Sequence, residues 1–147
     1  MILEKIELKH FDDLFEITSN INIMKYVGNG KSWNMRKTIN FINYGNSLDY
    51  FYKGIILKNK LIGVIGIYRN EKEYYNFVIF LHKDYQSKGY AKQALFIFKH
   101  MVPKVNKIYA DVLSSNIKSI NFFSNLGVGI KINSLTYRFD ITKLFIS

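Results

Sequence analysis

The chain has 147 residues, no cysteine, a single proline and a formal net charge of +10, with 48% hydrophobic and 16% aromatic residues. This is the composition of a packed globule, long enough to close one core over residues 1–147 as a single domain, and it excludes disulfides, thiolate nucleophiles and zinc–cysteine centres. The charge favours anionic partners without choosing among phosphates, nucleotides, RNA and acidic peptides, and lysine serving as solvated surface explains it equally well.

Met1 to His10 alternates apolar and charged residues, unlike a secretion leader, and no apolar run reaches membrane-spanning length, so a cytoplasmic protein without a membrane partner is expected. Ile2, Ile6 and Leu8 share one face of a first strand. Phe11, Leu14, Phe15 and Ile21 follow at helical spacing behind Asp12 and Asp13. The pattern breaks at Gly28-Asn29-Gly30, and a second helix from Asn34 to Tyr44 directs Met35, Ile39 and Ile42 to the core.

Phe51 to Leu57 and Leu61 to Tyr68 are β-branched and aromatic runs around Lys58-Asn59-Lys60, which reads as an antiparallel hairpin. Tyr74 to Leu81 is a further strand. Ala91, Ala94, Leu95, Phe98 and Val102 then recur at helical spacing until Pro103. Ile108 to Val112 is a strand, Ile117 to Leu126 a helix, and Gly129 to Ile132 and Tyr137 to Leu144 two closing strands. A hairpin beside helix-linked crossovers predicts the mixed α/β (α+β) class, with helices on both faces of one mixed sheet.

Two segments carry chemistry. Gln86-Ser87-Lys88-Gly89-Tyr90-Ala91 has the form Q-x-x-G-x-A at a strand-to-helix junction, where backbone N–H groups lack partners. Gly89 and the small Ala91 let phosphate oxygens reach those amides. Lys88, Lys92 and Lys99 can share one side of the helix and add positive potential, or form a solvated face. In the second segment, Asn116 is followed by Ser119, by Phe122-Phe123 and by Gly127, where a left-handed cap is expected to close the helix.

Together these motifs resemble the GNAT acetyltransferase superfamily, whose first motif is Q/R-x-x-G-x-G/A and whose second is N-x-x-A/S followed by an aromatic pair and a glycine. The resemblance covers nearly the whole chain. Phe11-Asp12-Asp13-Leu14-Phe15, Ile23-Met24-Lys25-Tyr26-Val27, Leu61-Ile62-Gly63-Val64-Ile65-Gly66 and Lys88-Gly89-Tyr90-Ala91 with Ala94-Leu95 are similar to the ribosomal-protein N-terminal alanine acetyltransferase branch.

The resemblance implies the GNAT fold, a mostly antiparallel sheet of six to seven strands splayed at the fourth and fifth, and acetyl-CoA as acyl donor with no metal. Ile79, Phe80 and Leu81 would pair with the pantetheine arm, and Gln86, Ser87, Lys88, Gly89, Tyr90, Ala91 and Lys92 would hold the pyrophosphate. Asn116, Ser119 and Phe123 would complete the cofactor site. Phe123 stands where many members place a Tyr that protonates the departing thiolate, so Ser119 and Tyr137 are the substitute donors. Asp111 matches an acid in some members and would act through water, or is an ordinary polar strand residue. Other members place a Glu on the fourth strand, where this chain has Tyr75 or Asn76 with Glu73 nearby.

The implied activity is direct transfer of acetyl to a primary amine, on a peptide or protein N-terminus or an amino sugar, by a monomer or homodimer. The alternative is a CoA-binding regulatory module with little turnover. An α-amino group is already partly neutral near pH 7, which suits a weak base. Nucleic acid is not the expected partner: Tyr50, Phe51, Tyr52, Tyr68, Tyr74 and Tyr75 have strand spacing and read as core or sheet surface. Gly30-Lys31-Ser32 ends like a Walker A loop, but the required earlier Gly falls on Lys25, so a loop at the substrate mouth is expected. His10, His82 and His100 are too scattered for a metal set.

Overall fold

The computed structural model describes residues 1–70, 74–103 and 105–146. Among them, the strands β1 (Ile2–Glu4), β2 (Tyr50–Leu57), β3 (Lys60–Arg69), β4 (Tyr75–Leu81), β5 (Ile108–Leu113), β6 (Gly129–Asn133) and β7 (Thr136–Asp140) form one sheet of order β1-β2-β3-β4-β5-β7-β6. All neighbours are antiparallel except β4 and β5, which run parallel. Helices α1 (Phe11–Thr18), α2 (Ile21–Met24) and α3 (Met35–Tyr44) cover one face, and α4 (Tyr90–Phe98) and α5 (Ile117–Ser124) the other.

Each face has its own core, because successive strand side chains point to opposite sides. Phe77 and Leu81 of β4 join Leu95, Phe98 and Phe123 on the α4–α5 side, while Phe80 joins Leu14, Ile17 and Met24 on the α1–α3 side. Phe98 is fully buried, with rings of Phe51, Phe77 and Phe145 at 5.7, 6.2 and 6.4 Å. Strand β3 is buried from Leu61 to Ile67, the unbroken apolar run of a strand covered on both sides.

The splay between β4 and β5 positions the site. The two strands pair only at Tyr75 with Ile108 and Asn76 with Tyr109. Beyond this, Phe77 to Leu81 stay on β3 while Ala110 to Leu113 follow β7, so the strands part and leave a V-shaped gap.

Several elements depart from the sequence expectation, each for a local polar reason. The first strand stops at Glu4 because His10 takes over the next backbone: its Nδ1 accepts from Glu7 N–H at 2.9 Å, and Nε2 lies 3.1 Å from a Glu4 carboxylate oxygen. Ile21 opens a separate helix capped by Asn20, and is exposed while Ile23 and Met24 turn inward. Met35 is exposed as well. The buried face of α3 runs through Thr38 and Ile42, since a 2.8 Å hydrogen bond between the Thr38 and Thr18 hydroxyls makes a core position of a polar residue. Helix α4 ends at Phe98, where i to i−3 bonds from His100 and Met101 tighten the last turn. The last strand ends at Asp140, whose carboxylate accepts from the Thr142 N–H and hydroxyl and turns the chain.

Gly127 is not a left-handed cap. Helix α5 closes at Asn125 in right-handed geometry, and a Cβ on Gly127 would lie 2.5 Å from the Asp140 carbonyl oxygen. The glycine serves the close approach of the end of β7 to the α5–β6 turn.

Candidate active site

The gap between β4 and β5 opens into a cavity of about 910 Å³. Its wall takes Phe77, Ile79 and Leu81 from one side of β4 and Val78 and Phe80 from the other, with Ala110 to Leu113 opposite. Asn20, Tyr26 and Val27 close it on the α1–α3 side, and Ser119, Phe122 and Phe123 on the α5 side. The cavity therefore crosses the sheet.

At one end stands the N-terminus of α4. The first intrahelical bond there runs from Gln93 N–H to the Gly89 carbonyl at 3.2 Å, so the amides of Tyr90, Ala91 and Lys92 have no acceptor within the helix. Gly89, at the cap position, is left-handed at φ +86°, and Ser87 has φ +60°. A Cβ on Gly89 would meet nothing within 4 Å, so glycine is required by backbone conformation and not by crowding. Gln86 braces this loop: its Nε2 donates to the Leu81 carbonyl at 3.0 Å, and its Oε1 accepts from Lys118 Nζ at 3.4 Å. The cradle fits a pyrophosphate-bearing cofactor.

Of the residues singled out by sequence, Ile79, Phe80, Leu81, Gln86, Ser87, Gly89, Ala91, Lys92, Asp111, Asn116, Ser119 and Phe123 all line the cavity. Lys88, Tyr90 and Tyr137 lie outside its wall. Tyr90 packs beside Tyr85, and Tyr137, opposite Val112 on β7, rests on the α4–α5 core. Asn116 caps α5, accepting from Ser119 N–H at 3.4 Å. Phe123 is buried between Phe77 and Phe139, at ring distances of 5.9 and 5.8 Å, and is a core side chain that also meets the cavity. Glu73 lies outside the described residues. Among those described, no cluster of three or more His, Cys, Asp or Glu could hold a metal.

Sequence reasoning missed Arg138. Strand register sets it opposite Asp111, and its Nε and Nη2 donate to the two carboxylate oxygens at 2.8 and 3.0 Å. Nη2 also donates to the Tyr74 hydroxyl at 2.8 Å, and the guanidinium sits 4.9 Å from the ring centres of both Tyr74 and Tyr109. The bonds to Asp111 hold the guanidinium pKa above its ordinary value, against the burial that lowers it. Asn76 joins the network by donating to Asp111 at 3.4 Å. Only the pairing of β5 with β7 makes this visible, because 27 residues separate the partners.

Beside the network, Tyr50, Tyr68 and Asn76 occupy one cross-strand row on the α1–α3 face, with Tyr50 and Tyr68 stacked at 5.8 Å. Burial raises the Tyr68 pKa, helped by the nearby Asp111 charge, so its phenol stays protonated at neutral pH. These tyrosines are sheet surface, as their spacing predicts.

A sequence profile described as an acetyltransferase (GNAT) domain matches residues 1–128. The protein named uncharacterized N-acetyltransferase YnaD, from Bacillus subtilis (strain 168), is 28% identical over 138 residues, spanning 87% of this chain and 78% of that protein. A GNAT-family acetyltransferase from Bacillus anthracis superposes with a TM-score of 0.73 at 24% identity, over 95% of this chain and 93% of that one. Spermidine N-acetyltransferase from Vibrio cholerae, solved with CoA and spermine, gives 0.78 at 17% identity, over 97% and 96%. At these identities the two structures share the fold. The chain belongs to the GNAT acetyltransferase family, and it is an acyltransferase.

Proposed function

We propose that residues 1–147 form one N-acetyltransferase domain that moves acetyl from acetyl-CoA directly to a primary amine, with a peptide or protein N-terminal amine or an amino sugar as acceptor. The observation that carries this reading is a single cavity that crosses the sheet and ends at the unbonded amides of α4. Those amides, with Gln86 to Lys92 around them, receive the pyrophosphate. Ile79 to Leu81, freed from β5 by the splay, pair with the pantetheine arm, and Asn116, Ser119 and Phe123 flank it.

In transfer, the amine nitrogen bonds to the acyl carbon, the carbon–sulfur bond breaks, and the sulfur takes a proton. A β4 amide facing the gap stabilises the oxyanion. Ser119, half-buried in the wall, is assigned as donor to the sulfur. Tyr137 is left as the lesser candidate because it faces the core. Asp111 has both oxygens engaged by Arg138, so its assigned role is to orient a water that takes the amine proton.

Titration calorimetry with acetyl-CoA tests the reading. Saturable binding that Gly89→Trp removes is expected, together with CoA thiol release over a panel of amines. Absence of binding at millimolar acetyl-CoA would refute it.

A further inference from the structure

The charges around the cavity are one-sided. From Ile17 to Leu48 the chain has no acidic residue, yet it carries Lys25, Lys31, Arg36 and Lys37. All four are exposed, and none forms an ion pair among the described residues. Lys25 lines the cavity wall, and the loop that follows it returns to the fold through Trp33, whose N–H donates to the Thr18 carbonyl at 2.8 Å. Lys37 lies over the Trp33 ring at 5.1 Å. The basic segment thus starts in the cavity wall and continues outward to the first turn of α3.

Arg36 and Lys37 in that first turn oppose the helix macrodipole, which favours acids there. Among the described residues, Asp111 is the one carboxylate in the cavity wall, and Arg138 neutralises it. A polycation entering on this side would meet repulsion with no free carboxylate in the wall. An amine followed by acidic groups would meet complementary charge over its length.

We infer that the acceptor is a polypeptide N-terminus whose following residues are acidic, drawn across Lys25, Lys31, Arg36 and Lys37 as its amine enters the cavity. This rests on the acetyltransferase reading above and adds the chemistry of the acceptor. An extended chain suits a basic track that runs from a cavity wall, along a loop, to a helix.

The test compares CoA release from acetyl-CoA with free-N-terminus peptides of one length, in which the residues after the first are Asp and Glu, neutral, or Lys, with spermidine and a phosphorylated amino sugar alongside. At low salt, kcat/KM for the acidic peptide should exceed that for the lysine peptide at least tenfold, and the ratio should shrink as salt is raised. The Lys31→Glu/Lys37→Glu variant should lose or invert that preference while its acetyl-CoA affinity by calorimetry stays unchanged.

Equal or better use of the lysine peptide, spermidine or the phosphorylated sugar overturns the inference and leaves the acetyltransferase reading standing. So does a preference untouched by charge reversal, or salt-dependent RNA binding that the variant abolishes without any peptide preference. Failure to bind acetyl-CoA overturns both readings.

Discussion

Arg138 closes on Asp111 from the neighbouring strand with both carboxylate oxygens engaged, and the two side chains are 23% and 28% exposed. The pair is too sheltered to be a surface ion pair and too wet to be a core one. It sits where β4 and β5 begin to part, so it ties β5 to β7 at the point where β5 leaves β4.

Removing one member should therefore cost about 1–2 kcal/mol, between exposed and buried pairs. Asp111→Asn and Arg138→Gln are each expected to lower stability in urea, and the double variant should lose less than their sum. Additive losses would show that the two do not act together. Acetyl transfer by Asp111→Asn should fall too, and a full rate would remove Asp111 from the mechanism.

Ser119→Ala should lower kcat by about a hundredfold, the lower end of the range for a positioned acid, while acetyl-CoA binding changes little. Thiol release and calorimetry read the two effects separately. Unchanged kcat would pass the proton to solvent.

Gly89→Ala places a side chain at φ +86°, a conformation that costs an L-residue roughly 1–2 kcal/mol. The cradle is expected to distort and acetyl-CoA affinity to drop about tenfold, each 1.4 kcal/mol being a factor of ten. Retained affinity would argue that the amides of α4 do not hold the cofactor.

Phe98→Ala should destabilise by about 3–5 kcal/mol, because the ring fills the centre of the α4–α5 core. For a chain of this length that corresponds to a drop in Tm of roughly 10 °C, checked by thermal unfolding. A change of only a degree or two would mean that the core collapses around the vacancy.

Glu16 links α1 to the end of β4 by accepting from His82 Nε2 at 2.9 Å, while His82 Nδ1 accepts from Asp84 N–H at 3.1 Å. The hydrogen bond from His82 holds the Glu16 pKa below its ordinary value, outweighing the smaller effect of burial. A depressed carboxylate stabilises the fold above its unfolded pKa, and that contribution fades as pH falls through the folded one. Urea titrations from pH 7 to pH 3 should show the wild type ahead of Glu16→Gln at neutral pH and level with it in acid. A gap that persists in acid would assign the difference to packing.

Much of this architecture was legible in side-chain periodicity. Leu61 to Tyr68 read as one arm of an antiparallel hairpin, which β3 is, and Gln86 to Ala91 marked the junction that became the α4 cradle. What escaped were polar residues that act through partners distant in the chain. Thr38 reads as helix surface until Thr18 is placed against it. Arg138 reads as a solvent-facing strand cation until β7 is set in register with β5. Gly127 carried a correct signal for glycine with the wrong cause: the constraint comes from the Asp140 carbonyl, not from a left-handed turn. Tyr137 and Arg138 are adjacent, and alternation alone does not say which one meets Asp111.

The gap between β4 and β5 draws its wall from both faces of the sheet. Two reactants approaching from opposite sides need not displace one another, so both can be held before chemistry begins. In initial-rate kinetics, reciprocal plots at several fixed acceptor concentrations should then intersect and not run parallel, and either product should be free to depart while the other is still bound.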